Sequence, residues 1–101
     1  MNPQGRVALV TGGARRVGRA LALALADRGA RIAIHHHESP ADAASLIGQL
    51  AARGIDAVAF QSDLREADAP DRLVADVVNH FGTLDILVNS AAIMVRSLLE
   101  D

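Results

Sequence analysis

The chain contains no cysteine, which excludes disulfides and thiolate metal sites. Lysine and tyrosine are also absent, so all ten basic residues are arginine. There is no basic excess: the formal net charge is -2 at pH 7. Nucleic acid and acidic membrane surfaces, which are bound through such an excess, are therefore not expected partners. The opening Met1-Asn2-Pro3-Gln4-Gly5 has no apolar signal segment, and a cytoplasmic location is the expectation. No repeat, linker or low-complexity tract interrupts the sequence.

What is present is a short chain of 101 residues, half of them hydrophobic. That is enough for one small domain with a buried core. Short apolar runs alternate with helical stretches. Arg6 to Thr11 is an unbroken apolar run ended by glycines, the pattern of a strand buried on both faces. Val17, Leu21 and Leu25 then recur at helical spacing up to Arg28, and Gly29 is a natural stop. The alternation repeats with a strand at Arg31 to His35, a helix at Ala41 to Arg53 and a strand at Ile55 to Gln61. A third helix carries Leu73, Val74, Val77, Val78 and Phe81, and a fourth strand runs from Leu84 to Asn89. Strands alternating with helices imply right-handed crossovers and a parallel sheet. The expected fold is an α/β, Rossmann-type doubly wound sheet of four strands in the order 3-2-1-4, with three crossover helices.

Ligands of such sheets bind beyond the carboxyl ends of the strands. The loop Thr11-Gly12-Gly13-Ala14-Arg15-Arg16-Val17-Gly18 follows a strand and opens a helix. In that context, glycines permit close backbone approach, and the helix N-terminus attracts a pyrophosphate. The glycine spacing also suits a nucleoside-triphosphate loop, but Arg19 and Ala20 stand where lysine and a magnesium-binding hydroxyl are required. A purely structural turn is the plainer alternative. The run His35-His36-His37 suggests metal binding, but neighbouring strand side chains alternate faces and no third ligand lies at suitable spacing. No metal site is expected.

Three segments in order, Thr11-Gly12 through Gly18, Ser62-Asp63-Leu64 and Asn89-Ser90-Ala91-Ala92, resemble the short-chain dehydrogenase/reductase family. The resemblance spans residues 1–101 but covers only the N-terminal, cofactor-binding half of the family fold. The usual family loop is Thr-Gly-x-x-x-Gly-x-Gly, and here Arg16 replaces the middle glycine. That replacement, together with His35 to His37, is similar to the pteridine-reductase-like branch.

The resemblance implies roles for individual residues. Gly12 and Gly18 shape the turn, and the amides near Val17 face the pyrophosphate. Asp63 accepts from the adenine amino group, with Leu64 beside it. Asn89, Ala91 and Ala92 support the sugar and nicotinamide side; strand-end caps and packing are the plainer alternatives. An NAD-specific acid would fall near His36, which is not acidic. Arg15 and Ser39 suit a 2'-phosphate, so NADP(H) is favoured; Glu38 keeps NAD(H) possible. Ser39 also reads as an N-cap, with Pro40 behind it and Asp42 completing a capping box. Arg16 directs a guanidinium toward the pyrophosphate or a substrate.

The implied chemistry is hydride transfer between NADPH and a carbonyl or imine, with a pterin as one candidate. The family's Tyr-x-x-x-Lys pair is missing, and none of the five serines holds the catalytic serine's place. The chain is therefore expected to carry no catalytic residue and to be inactive alone, as a segment of a longer protein that is homo-oligomeric at full length. The alternative is a non-catalytic nucleotide-binding or interaction module, in which the fourth strand would leave an unsatisfied edge and exposed apolar surface.

Overall fold

A computed structural model describes residues 2–90. Four strands and three helices alternate: β1 (Val7–Thr11), α1 (Arg16–Asp27), β2 (Arg31–His36), α2 (Pro40–Ala52), β3 (Ala57–Gln61), α3 (Ala69–Phe81) and β4 (Ile86–Asn89). The strands form one sheet in the order β3-β2-β1-β4, and every pairing is parallel. The doubly wound arrangement expected from the alternation is the one observed.

Period-two alternation along β1 divides the core between the two faces of the sheet. Ala8 and Val10, with Ile32 and Ile34 of β2, pack against Ala22 and Ala26 of α1 and Leu46 and Leu50 of α2. Val7, Leu9 and Ala33 face the other way, onto Leu73 and Val77 of α3. All five residues of β1 are buried, which explains why it reads as a continuous apolar run rather than an alternating one. The alanines of α1 have a packing role, since small side chains let the helix lie close to the sheet.

Some boundaries differ from the expected ones for identifiable reasons. β4 begins at Ile86 because the Asp85 carboxylate accepts the Val7 N–H (2.9 Å) just ahead of the strand. β3 begins at Ala57, since the Ile55 amide still serves the α2 terminus by donating to the Leu50 carbonyl (3.0 Å). β2 runs one residue further than expected and takes in His36. β4 lies at the edge of this sheet, and Leu87 on it is 57% exposed. Among the described residues, no helix is long and apolar enough to cross a membrane.

Candidate functional site

The carboxyl ends of β1, β2 and β4 open into a cavity of about 560 Å³. It is lined by Gly12, Ala14 and Arg15 of the β1–α1 loop, by Arg16 to Gly18 in the first turn of α1, by His36 to Ser39 at the end of β2 and just after it, and by Ser90. Gly12, Arg15, Arg16, Val17, Gly18, His36 and Ser39 all line this one cavity.

The turn is built on close contacts. Gly12 has φ +62°, in the left-handed region, where glycine carries no Cβ penalty. A Cβ on Gly18 would overlap the Gly12 carbonyl oxygen and lie 2.8 Å from its carbon. A Cβ on Gly13 would lie 2.8 Å from the Val10 carbonyl oxygen and 3.1 Å from Ile34 Cγ2. Gly12 and Gly18 are expected from the sequence to shape the turn; Gly13 is not, and its need arises from the Val10 carbonyl of β1 and the Ile34 side chain of β2 packed against it.

The Gly12 and Gly13 amides turn inward. Gly12 N–H donates to His35 Nδ1 (3.0 Å) and Gly13 N–H to the His35 carbonyl (3.0 Å). The first intrahelical bond of α1 is from Arg19 N–H to the Arg15 carbonyl (3.2 Å). The amides of Arg16, Val17 and Gly18 precede it and have no intrahelical acceptor, which leaves them as donors for an anion at the cavity wall.

Arg16 has φ +55°, the one non-glycine residue with positive φ among those described. Its backbone adopts the conformation that glycine occupies most readily, at the position where the family loop has glycine. The side chain is exposed. Among the described residues, no hydrogen bond or ion pair engages its guanidinium. Arg15 forms an ion pair with Asp42 (3.4 Å), both side chains being more than half exposed. Arg19 bonds to the Ala14 carbonyl (3.4 Å), the Asp42 carbonyl (3.3 Å) and Gln49 Oε1 (3.0 Å). It ties α1 to α2, a structural use consistent with the failure of the triphosphate-loop pattern.

The capping box expected at Ser39 does not form. Its carbonyl accepts the Ala43 N–H (2.9 Å), but its side chain makes no cap hydrogen bond. Asp42, the other half of the expected box, is drawn to Arg15 instead. Ser39 also lines the cavity. His36 lines the cavity, but its Nδ1 is closed off from solvent and lacks a partner among the described residues. A polar contact from this ring to a ligand has to come from Nε2.

The remaining predicted positions lie around the neighbouring strand ends. Asp63 binds Arg65 through both carboxylate oxygens (3.0 and 2.9 Å) and accepts the Arg65 amide (3.0 Å). The Arg65 hydrogen bonds hold the Asp63 carboxyl well below the usual carboxylate range. His37 Nε2 lies 3.6 Å from Asp63 and 3.8 Å from Glu38. Asp63, Leu64, Leu73, Leu87 and Asn89 line a second, more apolar cavity of about 500 Å³. Asn89 Oδ1 accepts the Thr11 hydroxyl (2.7 Å), and the Ser90 hydroxyl donates to the Thr11 carbonyl, tying β1 to β4 at the site. Ala91 and Ala92 lie outside the described residues. Among those described, no cluster of three potential metal ligands occurs.

This arrangement, a glycine turn at a topological switch point with open helix amides beside arginine, defines a Rossmann-type dinucleotide fold. The short chain dehydrogenase family matches residues 6–101, and the chain belongs to that family. It is 41% identical over 97 residues to versicolorin reductase 1 of Aspergillus parasiticus, covering 96% of this chain and 37% of that protein. It is 39% identical over 92 residues to the 3-oxoacyl-(acyl-carrier-protein) reductase FabG of Staphylococcus aureus, covering 91% and 37%. The chain thus spans little more than a third of the length of these relatives. A short chain dehydrogenase of Burkholderia cenocepacia solved with NADP superposes with a TM-score of 0.83 at 42% identity, covering 88% of this chain and 36% of that one. An NADH-dependent reductase of alginate metabolism superposes with a TM-score of 0.77 at 35% identity, covering 84% and 35%.

Proposed function

We propose that this chain is the cofactor-binding part of an NADP(H)-dependent oxidoreductase that transfers hydride between NADPH and a carbonyl or imine. The observation that carries the reading is the first cavity, where open helix amides, the Arg16 guanidinium, unpaired among the described residues, Arg15 and Ser39 meet. Those groups suit two phosphate positions. The amides of Arg16, Val17 and Gly18 serve the pyrophosphate. Arg15 and Ser39 serve a 2'-phosphate at the end of β2, with Arg15 exchanging the Asp42 carboxylate for the ligand's charge. Asp63, with its low pKa, stays ionised as an acceptor for the adenine amino group, and Leu64 lies beside it. Asn89 holds the β1–β4 junction on the nicotinamide side.

The bound dinucleotide supplies the hydride. The 101 residues include no tyrosine and no lysine, so the acid–base step belongs to residues outside them. The pterin reading rests on Arg16 and the His35 to His37 run, the two features that resemble the pteridine-reductase-like branch. NADH is the second reading, favoured by Glu38, whose side chain is 82% exposed on the cavity wall. Calorimetric titration with NADPH and NADH separates the two. Tighter NADPH binding is expected, and tighter NADH binding overturns the 2'-phosphate assignment.

A further inference from the structure

His35 is 4% exposed, and both ring nitrogens are engaged. Nδ1 lies 3.0 Å from the Gly12 amide nitrogen, and Nε2 lies 2.8 Å from the Ser62 carbonyl oxygen. An amide only donates and a carbonyl only accepts, so the ring is neutral, bare at Nδ1 and protonated at Nε2. The imidazole spans from the β1–α1 turn on one side of β2 to the end of β3 on the other. Its own carbonyl holds the Gly13 amide, so one residue takes up both inward-facing amides of the turn.

Gly12 in turn locates the helix. The Gly18 backbone sits so close to the Gly12 carbonyl that no Cβ fits between them, so a shift of Gly12 displaces the first turn of α1. That turn carries the open amides. We propose that His35 is a positioning residue for the dinucleotide site: its neutral imidazole tethers the Gly12 turn to the end of β3, and protonation of Nδ1 releases it. The proposal rests on the dinucleotide reading of the loop.

The surroundings favour the neutral form. Burial lowers the His35 pKa, the Ser62 carbonyl raises it, and the positive fields of His36 and His37 lower it; the net shift is downward from 6.5. Arg15 and Arg16 lie further along the loop that Gly12 begins. Asp63 and Arg65 share the second cavity with His35 and neutralise each other there. On α3, Arg72 and Asp76 line the adjoining cavity with His37, while β1 and β4 bring only the uncharged Thr11 and Asn89. A proton on Nδ1 sets N–H against N–H and places a cation near the positive end of the α1 dipole. Cofactor affinity is therefore at its plateau above pH 6.5 and falls on acidification.

Two variants and one spectrum test this. His35→Asn keeps an acceptor near the Nδ1 position and cannot titrate, whereas His35→Gln reaches toward Ser62 and leaves the buried Gly12 donor unsatisfied. At pH 7.5 H35Q should bind NADPH at least about tenfold more weakly than wild type, and H35N, which keeps the Gly12 acceptor but loses the Ser62 contact, should lose less than H35Q. As pH is lowered from 7.5 wild type should weaken more steeply than H35N. The same comparison with NADH removes the titration of the 2'-phosphate itself, whose second pKa is near 6. In the wild-type protein, imidazole ¹⁵N resonances should show Nδ1 bare and Nε2 protonated, and the Gly12 amide shift should titrate together with His35. H35Q binding as tightly as wild type, or a ring protonated at Nδ1 at pH 7.5, overturns the proposal. If the wild-type protein binds neither dinucleotide, the cofactor reading fails, and the tether is then decided by the ¹⁵N spectrum.

Discussion

Replacing Arg16 by glycine should make the fold more stable and the cofactor site weaker. An L-residue held in the left-handed region costs about 1–2 kcal/mol relative to right-handed backbone, and Arg16 is held there at φ +55°. Glycine removes that cost but returns about 0.5–1 kcal/mol through the greater entropy of the unfolded chain. The net gain is about 0.5–1 kcal/mol, or roughly 3–6 °C in Tm for a domain of this size. Arg16→Ala is the control, because it deletes the guanidinium and keeps the strain; it should stay within about 0.5 kcal/mol of wild type. Urea and thermal denaturation of the three proteins read these differences. In NADPH titrations both variants should weaken alike, since each loses the same charge. The reasoning is refuted if R16G is no more stable than R16A, or if both bind NADPH and substrate as wild type does.

Other perturbations address the remaining parts of the site. Gly18→Ala forces a methyl group into the Gly12 carbonyl; NADPH affinity should fall at least about tenfold, equivalent to 1.4 kcal/mol, as read by cofactor fluorescence. Arg15→Ala should weaken NADPH by about tenfold or more, the value of a charge-assisted hydrogen bond, and leave NADH nearly unchanged, so equal losses would remove Arg15 from the 2'-phosphate. Arg65→Ala should raise the Asp63 pKa toward the ordinary carboxylate value near 4, seen by ¹³C titration of its carboxyl. Because the native pKa of Asp63 is depressed, its stabilising effect is present above that ordinary value and is lost as pH falls through the native one. Acid unfolding of R65A should lack this component, which is small because the ion pair is largely solvated.

How far the sequence discloses this structure depends on whether a feature is local. The β1 run and the α1 periodicity are local hydrophobic patterns, and a parallel sheet covered by helices follows from their alternation. Gly12 and Gly18 are legible because a strand precedes them and a helix follows. His35 is not, because its two partners lie 23 and 27 residues away, and a buried histidine in a strand carries no mark of what its nitrogens meet. Ser39, Pro40 and Asp42 spell a capping box that the fold does not use, since Arg15 from another loop competes for Asp42. The left-handed backbone of Arg16 is invisible in composition, and only its place where the family loop carries glycine points to it.

The central claim is that the first cavity holds a 2'-phosphorylated dinucleotide with its pyrophosphate on the α1 N-terminus. A crystal structure of the protein with NADP+ tests it most directly. The account predicts the pyrophosphate within hydrogen-bond reach of the Arg16, Val17 and Gly18 amides, and the 2'-phosphate between Arg15 and Ser39. A 2'-phosphate turned away from Arg15, or a pyrophosphate bound elsewhere than at these amides, contradicts it.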